Sequence, residues 1–546
     1  MDVSKPPQQK SFGNRMVSGL FWTSLSFGIW KLVSLVTVFI LARILSPADF
    51  GLVGIAIIVI GVIRMFQDMG VGCALIYSKN TSIELTSTAF YMILASGFIF
   101  TLGGYLSAPY MASYFNNPAA ESILRALSAN IMIVSIGTVP GFLLTKELQF
   151  KKRVGPDMVA ALAQAAISIY LALKGQGVWS LVAGEIANRS VASIGSWMIH
   201  PWRPKLLFDR KLARELFSYS KFMVASSISS FATSNADNII VARILGATQL
   251  GYYSLAFRAA SLPSTLTFFV LSKVTFPVFS KLQDNRRELA DAFLKTIKYL
   301  ALISLPAGII MYMLAPELVD MLLGEKWSRS VESMQALVIY GVFTSIIWQV
   351  IEVYKATGRT DLSFGSETIR LIILIPLATA CALFGGIHGV AIAQSITVAI
   401  ASIFYFFPLM RVLEINVTEL LDALFPSLLP SGCILLSLWL VGSAFQQHPV
   451  LQASVFLKLF VSIFLSACIL IAFVAAHSKE FISRIREKSL LDFLVVESED
   501  TQPEPERKAQ AESQQESQFK HPEPNFALHS GETKINAGLE ASQEAS

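Results

Sequence analysis

The chain has 546 residues, 53% hydrophobic and 15% charged, with a mean hydropathy of +0.57. That much apolar surface cannot all be turned inward in a water-soluble globular domain, so the chain is read as an all-α integral membrane protein. Its net charge of +5 hides a split: residues 497–546 carry eleven acids against Arg507, Lys508, Lys520 and Lys534, a balance of −7, which leaves residues 1–496 at +12.

A polar start, residues 1–16, carries Lys5, Lys10 and Arg15. The apolar run after it, from about Leu20 to Leu45, is too long for a signal peptide and lacks a small-residue cleavage site, so it is expected to remain as the first spanning helix. Polar or Gly/Pro-rich breaks divide the rest so that fourteen runs of spanning length result: 17–45, 51–77, 87–108, 123–145, 155–173, 177–199, 216–241, 251–275, 293–316, 332–355, 364–384, 388–410, 419–442 and 453–475. The short connections between them leave no room for a large folded domain on either side.

Lysine and arginine alternate loop by loop. With the N-terminus inside, cytoplasmic segments hold 24 of them, whereas the outward corners hold only Arg43, Lys174, Arg243, Lys326 and Arg329. Cytoplasmic connections are the basic ones, so an even number of helices with both termini cytoplasmic is expected.

The outward corner LARILSPADFG (41–51) recurs as VARILGATQLG (241–251), joining helices 1–2 and then 7–8. Six helices separate the copies, so the two units enter from the same side as parallel repeats of the transporter kind. The expected organisation is therefore a cytoplasmic N-terminus (1–16), a first six-helix lobe (17–199), a cytoplasmic amphipathic linker (200–215), a second six-helix lobe (216–410), two further helices (411–475) and a cytoplasmic acidic tail (476–546). In the linker, Leu212 and Leu216 share a helical face, which suits the headgroup surface. The tail is rich in Glu, Gln, Ser and Pro and is read as largely disordered.

No catalytic grouping, metal-ligand pattern or phosphate-cradling glycine loop stands out, and nothing points to nucleic acid or a bound cofactor. Cys73, Cys381, Cys433 and Cys468 fall in or beside apolar runs and are read as packing residues. Attention goes instead to ionisable groups at membrane depth, which are costly there and normally face an aqueous interior. Lys31 lies in helix 1, Arg64 in helix 2 and Arg258 in helix 8; facing each other across a cleft, they would suit an anionic group such as a pyrophosphate. Alternatively Lys31 snorkels and Arg64 pairs with Asp68, one turn along. Glu185 and Arg189, four apart, suit a helix-face pair. Asp237, between Asn235 and Asn238, is either a proton- or sodium-coupling carboxylate or part of a polar helix end. Glu352, Lys355, Glu367 and Arg370 are read as interfacial, and Arg43 and Arg243 as anchors at headgroup depth.

The Phe50-Gly51 pair, the DMGVGCALI stretch at 68–76, FSYS at 217–220, Asp237 with IIVARILG, GYYSLA at 251–256 and ATGRTD at 356–361 together resemble the hallmarks of the polysaccharide transporter branch of the MOP (multidrug/oligosaccharidyl-lipid/polysaccharide) exporters, in particular Wzx-type and colanic-acid-exporter-type flippases. The resemblance covers most of residues 15–475; the acidic tail is not part of the family pattern. It implies a V-shaped pair of lobes in the bacterial inner membrane that moves undecaprenyl-pyrophosphate-linked oligosaccharide units outward, with basic residues of helices 1, 2 and 8 lining a central cavity. Lys31, Arg64 and Arg258 match those helices. It also implies membrane lipids, a periplasmic polymerase and a chain-length regulator as partners. A small-molecule exporter of the same superfamily and a membrane glycan polymerase are the rival readings; the cationic character of the central charges and the short outward loops count against them.

Overall fold

The computed structural model describes residues 12–67, 71–72, 75, 82–147, 149–447 and 455–477. Among these, every regular element is helical. The first six are α1 (Phe12–Ile44), α2 (Pro47–Gln67), α3 (Ile83–Tyr114), α4 (Ala119–Lys146), α5 (Phe150–Leu173) and α6 (Val178–Ile199). Then follow α7 (Arg210–Ile240), continued by a π-turn over Val241–Leu245, α8 (Ala247–Ala260), α9 (Leu262–Lys281), α10 (Arg286–Met313), the short α11 (Ala315–Leu322) and a 3-10 turn over Glu325–Ser330. The last four are α12 (Val331–Ala356), α13 (Thr360–Leu413), α14 (Val417–Gln447) and α15 (Val455–His477).

Nine helical stretches among the described residues are long and apolar enough to cross a membrane, with α13 counted once. Inside α13, Gly386 takes φ 56° and ψ −144°, a left-handed conformation that glycine adopts without steric cost, and divides its 54 residues into two helices. The eighth expected run is likewise two elements: Pro263, which cannot donate into a helical ladder, sits just after the break at Ser261 between α8 and α9. Large apolar side chains point outward all around, among them Leu32, Phe98, Leu106, Ile403, Trp439 and Ile471, each more than half exposed on the protein alone. Such a belt is what lipid covers.

α1–α6 pack largely among themselves and α7–α13 among themselves, while α14 lies on α10 and α15 on α14. The two bundles meet mainly where α2 packs along α8. The corner sequences explain that crossing. In the first, Ser46 and Asp49 cap each other, the Asp49 carboxylate accepting from the Ser46 amide (2.9 Å) and hydroxyl (2.7 Å), with Pro47 at the first helical position. In the second, Gly246 turns the chain at φ 88°. Both corners then present a glycine, Gly51 and Gly251, so two backbones can touch.

The linker departs from expectation. Residues 201–209 are not helical, and α7 starts at Arg210 with Asp209 as its cap, the carboxylate accepting from the Lys211 amide at 2.7 Å. The preceding strap is instead held on the start of α3: the Lys205 amide donates to Ser87, the Asp209 amide to Thr88, and the Trp202 indole to Thr86. Leu212 and Leu216 turn inward to the cluster of Phe90, Val139 and Trp197 rather than to a headgroup surface. The tail, Asp68 and Cys73 lie outside the described residues. Of the other cysteines, all unpaired, Cys433 and Cys468 are exposed on the outer face and do not pack inside.

Candidate functional site

Between the two bundles lies a cavity of about 350 Å³, a size typical of a small-molecule site. α1 contributes Trp30, Ser34 and Thr37; α5 contributes Gln164 and Ser168; α6 contributes Glu185; α7 contributes Asn235 and Asn238; and α8 contributes Ser254, Phe257 and Arg258. Helical spacing explains the selection: residues 30, 34, 37 and 41 of α1 recur every three to four positions and so share one face. Hydroxyls and amides outnumber charges in this lining, and aromatic rings from Trp30, Phe50 and Phe257 supply flat apolar walls.

Of the three expected cations, Arg258 lines the cavity and is exposed within it. Lys31, half-buried on α1, stands one turn from Ser34 on the same side, close enough for its charge to act on Arg258. Arg64 continues the α2 face of Ile57 two turns further from the corner, and there meets the charges of Glu185 and Arg189. Glu185 and Arg189 pair directly, Oε1 accepting from the guanidinium at 2.8 Å. Four residues that are scattered in sequence, Arg64, Glu185, Arg189 and Arg258, thus share one electrostatic neighbourhood. Gln164 belongs to it as well, with its amide 3.4 Å from the other Glu185 oxygen. A lone glutamine in the middle of an apolar helix is the sequence signal that could have singled it out.

Asp237 stands apart. It is fully buried; Tyr253 donates to Oδ2 at 2.8 Å, and the Asn238 amide and side chain donate to Oδ1 at 2.8 and 3.0 Å. While Asn238 faces the cavity, Asp237 ties α7 to α8 inside the second bundle. Arg370 and Glu352 correct the interfacial reading: both are buried, Arg370 lying 5.5 Å over the Tyr340 ring beside Glu367 and Glu352 pairing with Lys355 at 2.9 Å. Each has its counter-charge one turn away on its own helix, and Arg370 also has the Tyr340 ring of the facing α12, which together let the charges stay buried.

The repeated arginines both reach across from one bundle to the other. Arg43 donates to the carbonyls of Met321 and Leu322, ending α11 in the other bundle. Lys326 donates back to the carbonyls of Arg43 (2.9 Å) and Leu45 (2.7 Å), and the fully buried Trp327 indole to that of Ala42 at 2.9 Å. Arg243 reaches the opposite way, over the Tyr114 ring at 5.1 Å, at the end of α3. Each bundle sends its corner arginine to a helix end of the other.

Two packed helical bundles enclosing a polar, charged cavity make up the fold. A solved structure of the lipid II flippase MurJ in an inward closed conformation shares it, with a TM-score of 0.69 over 84% of this chain and 99% of that one, at 16% identity. The model of the family described as polysaccharide biosynthesis protein matches residues 40–332, more than half of the chain, and the chain belongs to that family. Relatives include the lipopolysaccharide biosynthesis protein WzxC of Escherichia coli (strain K12), 25% identical over 73% of this chain and 82% of its own length. The succinoglycan biosynthesis transport protein ExoT of Rhizobium meliloti (strain 1021) is 27% identical over 70% of this chain and 76% of its own.

Proposed function

We propose that this protein flips polyprenyl-diphosphate-linked oligosaccharides from the inner to the outer leaflet of the bacterial inner membrane, for the synthesis of an exported polysaccharide. The observation that carries the reading is the cavity: the Arg258 guanidinium projects into a wall of hydroxyls and amides, with Lys31 and Arg64 one to two turns away. Guanidinium is the side chain best fitted to phosphate oxygens, and hydroxyl-rich walls suit a glycan. The names of relatives in lipopolysaccharide and succinoglycan synthesis, and of a flippase with the same fold, support it. The polyprenyl tail stays in lipid while the headgroup passes between the bundles, which rock about the α2–α8 crossing.

Transport of this kind makes and breaks no covalent bond, so no catalytic residue is assigned. The lysine and arginine bias supports an orientation with both termini cytoplasmic. Removal of the product by a polymerase acting with a chain-length regulator would drive the exchange, as would a proton or sodium gradient. Asp237 is a weak candidate for the coupling ion because both its oxygens already accept from Tyr253 and Asn238. The test is transfer of a fluorescent polyprenyl-diphosphate oligosaccharide across reconstituted vesicles. Transfer above protein-free vesicles is expected; efflux of cationic dyes in its place would favour the small-molecule exporter.

A further inference from the structure

Among the described residues, Glu185 is the one acid in the wall of a site suited to an anion. Its Oε1 accepts from Nε and Nη2 of Arg189, both at 2.8 Å, and its charge also acts on Arg64 and Arg258. Among the described residues, by contrast, neither Arg64 nor Arg258 has a hydrogen-bond partner for its guanidinium. Among the described residues one carboxylate thus stands among three guanidiniums at a partly desolvated cavity, and it bonds to Arg189 and not to Arg258, which lines the cavity. Arg64 and Arg258 donate to none of the other described residues.

We infer that Glu185 is a resident counter-anion that an incoming diphosphate displaces from the field of Arg64 and Arg258, and that it limits how tightly the headgroup is held. This inference rests on the flippase reading above. With the cavity empty, the carboxylate compensates cations that would otherwise be uncompensated away from bulk water. With a diphosphate on Arg64 and Arg258, the same carboxylate becomes a like charge at the same cavity. Arg189 and Gln164 hold it on the wall, so it repels without blocking. A flippase has to release its cargo as readily as it takes it, and a fixed repulsive charge shortens the bound lifetime.

The probe is farnesyl diphosphate, titrated calorimetrically into the full-length detergent-purified protein. A unit charge roughly 10 Å away, in an effective dielectric of about 20, is worth roughly tenfold in affinity. Glu185→Gln, which keeps the shape, and Glu185→Ala, which removes it, are both expected to bind the diphosphate roughly tenfold tighter than the wild type and to flip it more slowly in vesicles; farnesol binding should not change. Equal or weaker diphosphate binding by both variants overturns the inference, and so does a matching gain for farnesol, which would mark a packing effect. The arm that separates this from the parent reading is Arg258→Ala. Weaker binding there without a gain at Glu185 removes the counter-anion role and leaves the flippase standing, whereas no change at Arg258 overturns both.

Discussion

Gly51 and Gly251 face one another where α2 crosses α8, and each occupies the space a side chain would need: a Cβ on Gly51 would fall 1.7 Å from the Ala247 carbonyl oxygen, and one on Gly251 1.9 Å from that of Pro47. The reciprocity is that of a twofold relation between the two corners. Because the obstacles are backbone atoms, no rotamer change makes room.

Gly51→Ala or Gly251→Ala is therefore expected to push the bundles apart at the corner end, at a cost of about 1–3 kcal/mol to the closed arrangement. In a background free of other cysteines, Ser34→Cys in the cavity reports the opening. Its labelling by a membrane-impermeant maleimide added from the corner side should speed up severalfold in either alanine variant. An unchanged rate would show that the crossing does not close the cavity.

The cross-bundle arginines and Trp327 act on the same closure. Removing Trp327, fully buried with its indole bonded to Ala42, is expected to cost about 3–5 kcal/mol. Trp327→Phe loses mainly the hydrogen bond, about 1 kcal/mol. Arg43→Ala and Arg243→Ala, at opposite ends of the contact, should add nearly independently, since they share no partner. Thermal unfolding in detergent measures all four; equal losses for Trp327→Ala and Trp327→Phe would contradict the packing role.

Asp237 and Tyr253 form a buried donor–acceptor pair rather than part of the cavity. Tyr253→Phe leaves an acceptor oxygen of Asp237 without its donor, which costs about 1–3 kcal/mol. The melting temperature should fall while transport per folded molecule and its response to replacing sodium by potassium stay as in the wild type. Loss of sodium dependence on this substitution would restore Asp237 as a coupling residue.

Arg370 separates a buried from an interfacial role. At 7% exposure beside Glu367 and Tyr340, its replacement by alanine removes one partner of a buried pair and is expected to cost about 3–5 kcal/mol. A surface arginine would cost under about 0.5 kcal/mol. Chemical unfolding of Arg370→Ala in mild detergent reads the difference.

Hydropathy marked the apolar runs, because a bilayer demands such runs of one length, and the division at Gly386 falls at a break read from the sequence, whereas the one at Ser261 lies inside a run read as continuous. The doubled corner was equally legible as a repeat. What it does was not: the contacts of Arg43 with Met321 and of Lys326 with Leu45 span more than 270 residues, and nothing local to either stretch encodes its partner. Arg370 was misjudged for a related reason. Distance along the chain from a loop sets depth in the membrane but not which way a side chain turns: Glu367 lies one turn away on the same helix, whereas the Tyr340 ring comes from packing against α12. The linker was misread because Leu212 and Leu216 do share a face, but that face meets Phe90 and Trp197 rather than lipid.

The most direct measurement compares wild type with Arg64→Ala/Arg258→Ala in vesicles loaded with a lipid-diphosphate oligosaccharide. The double variant should insert and fold normally, by size-exclusion profile and melting temperature, yet move the substrate no faster than protein-free vesicles. Wild-type transfer rates from the correctly folded double variant would contradict the assignment of this cavity to the diphosphate.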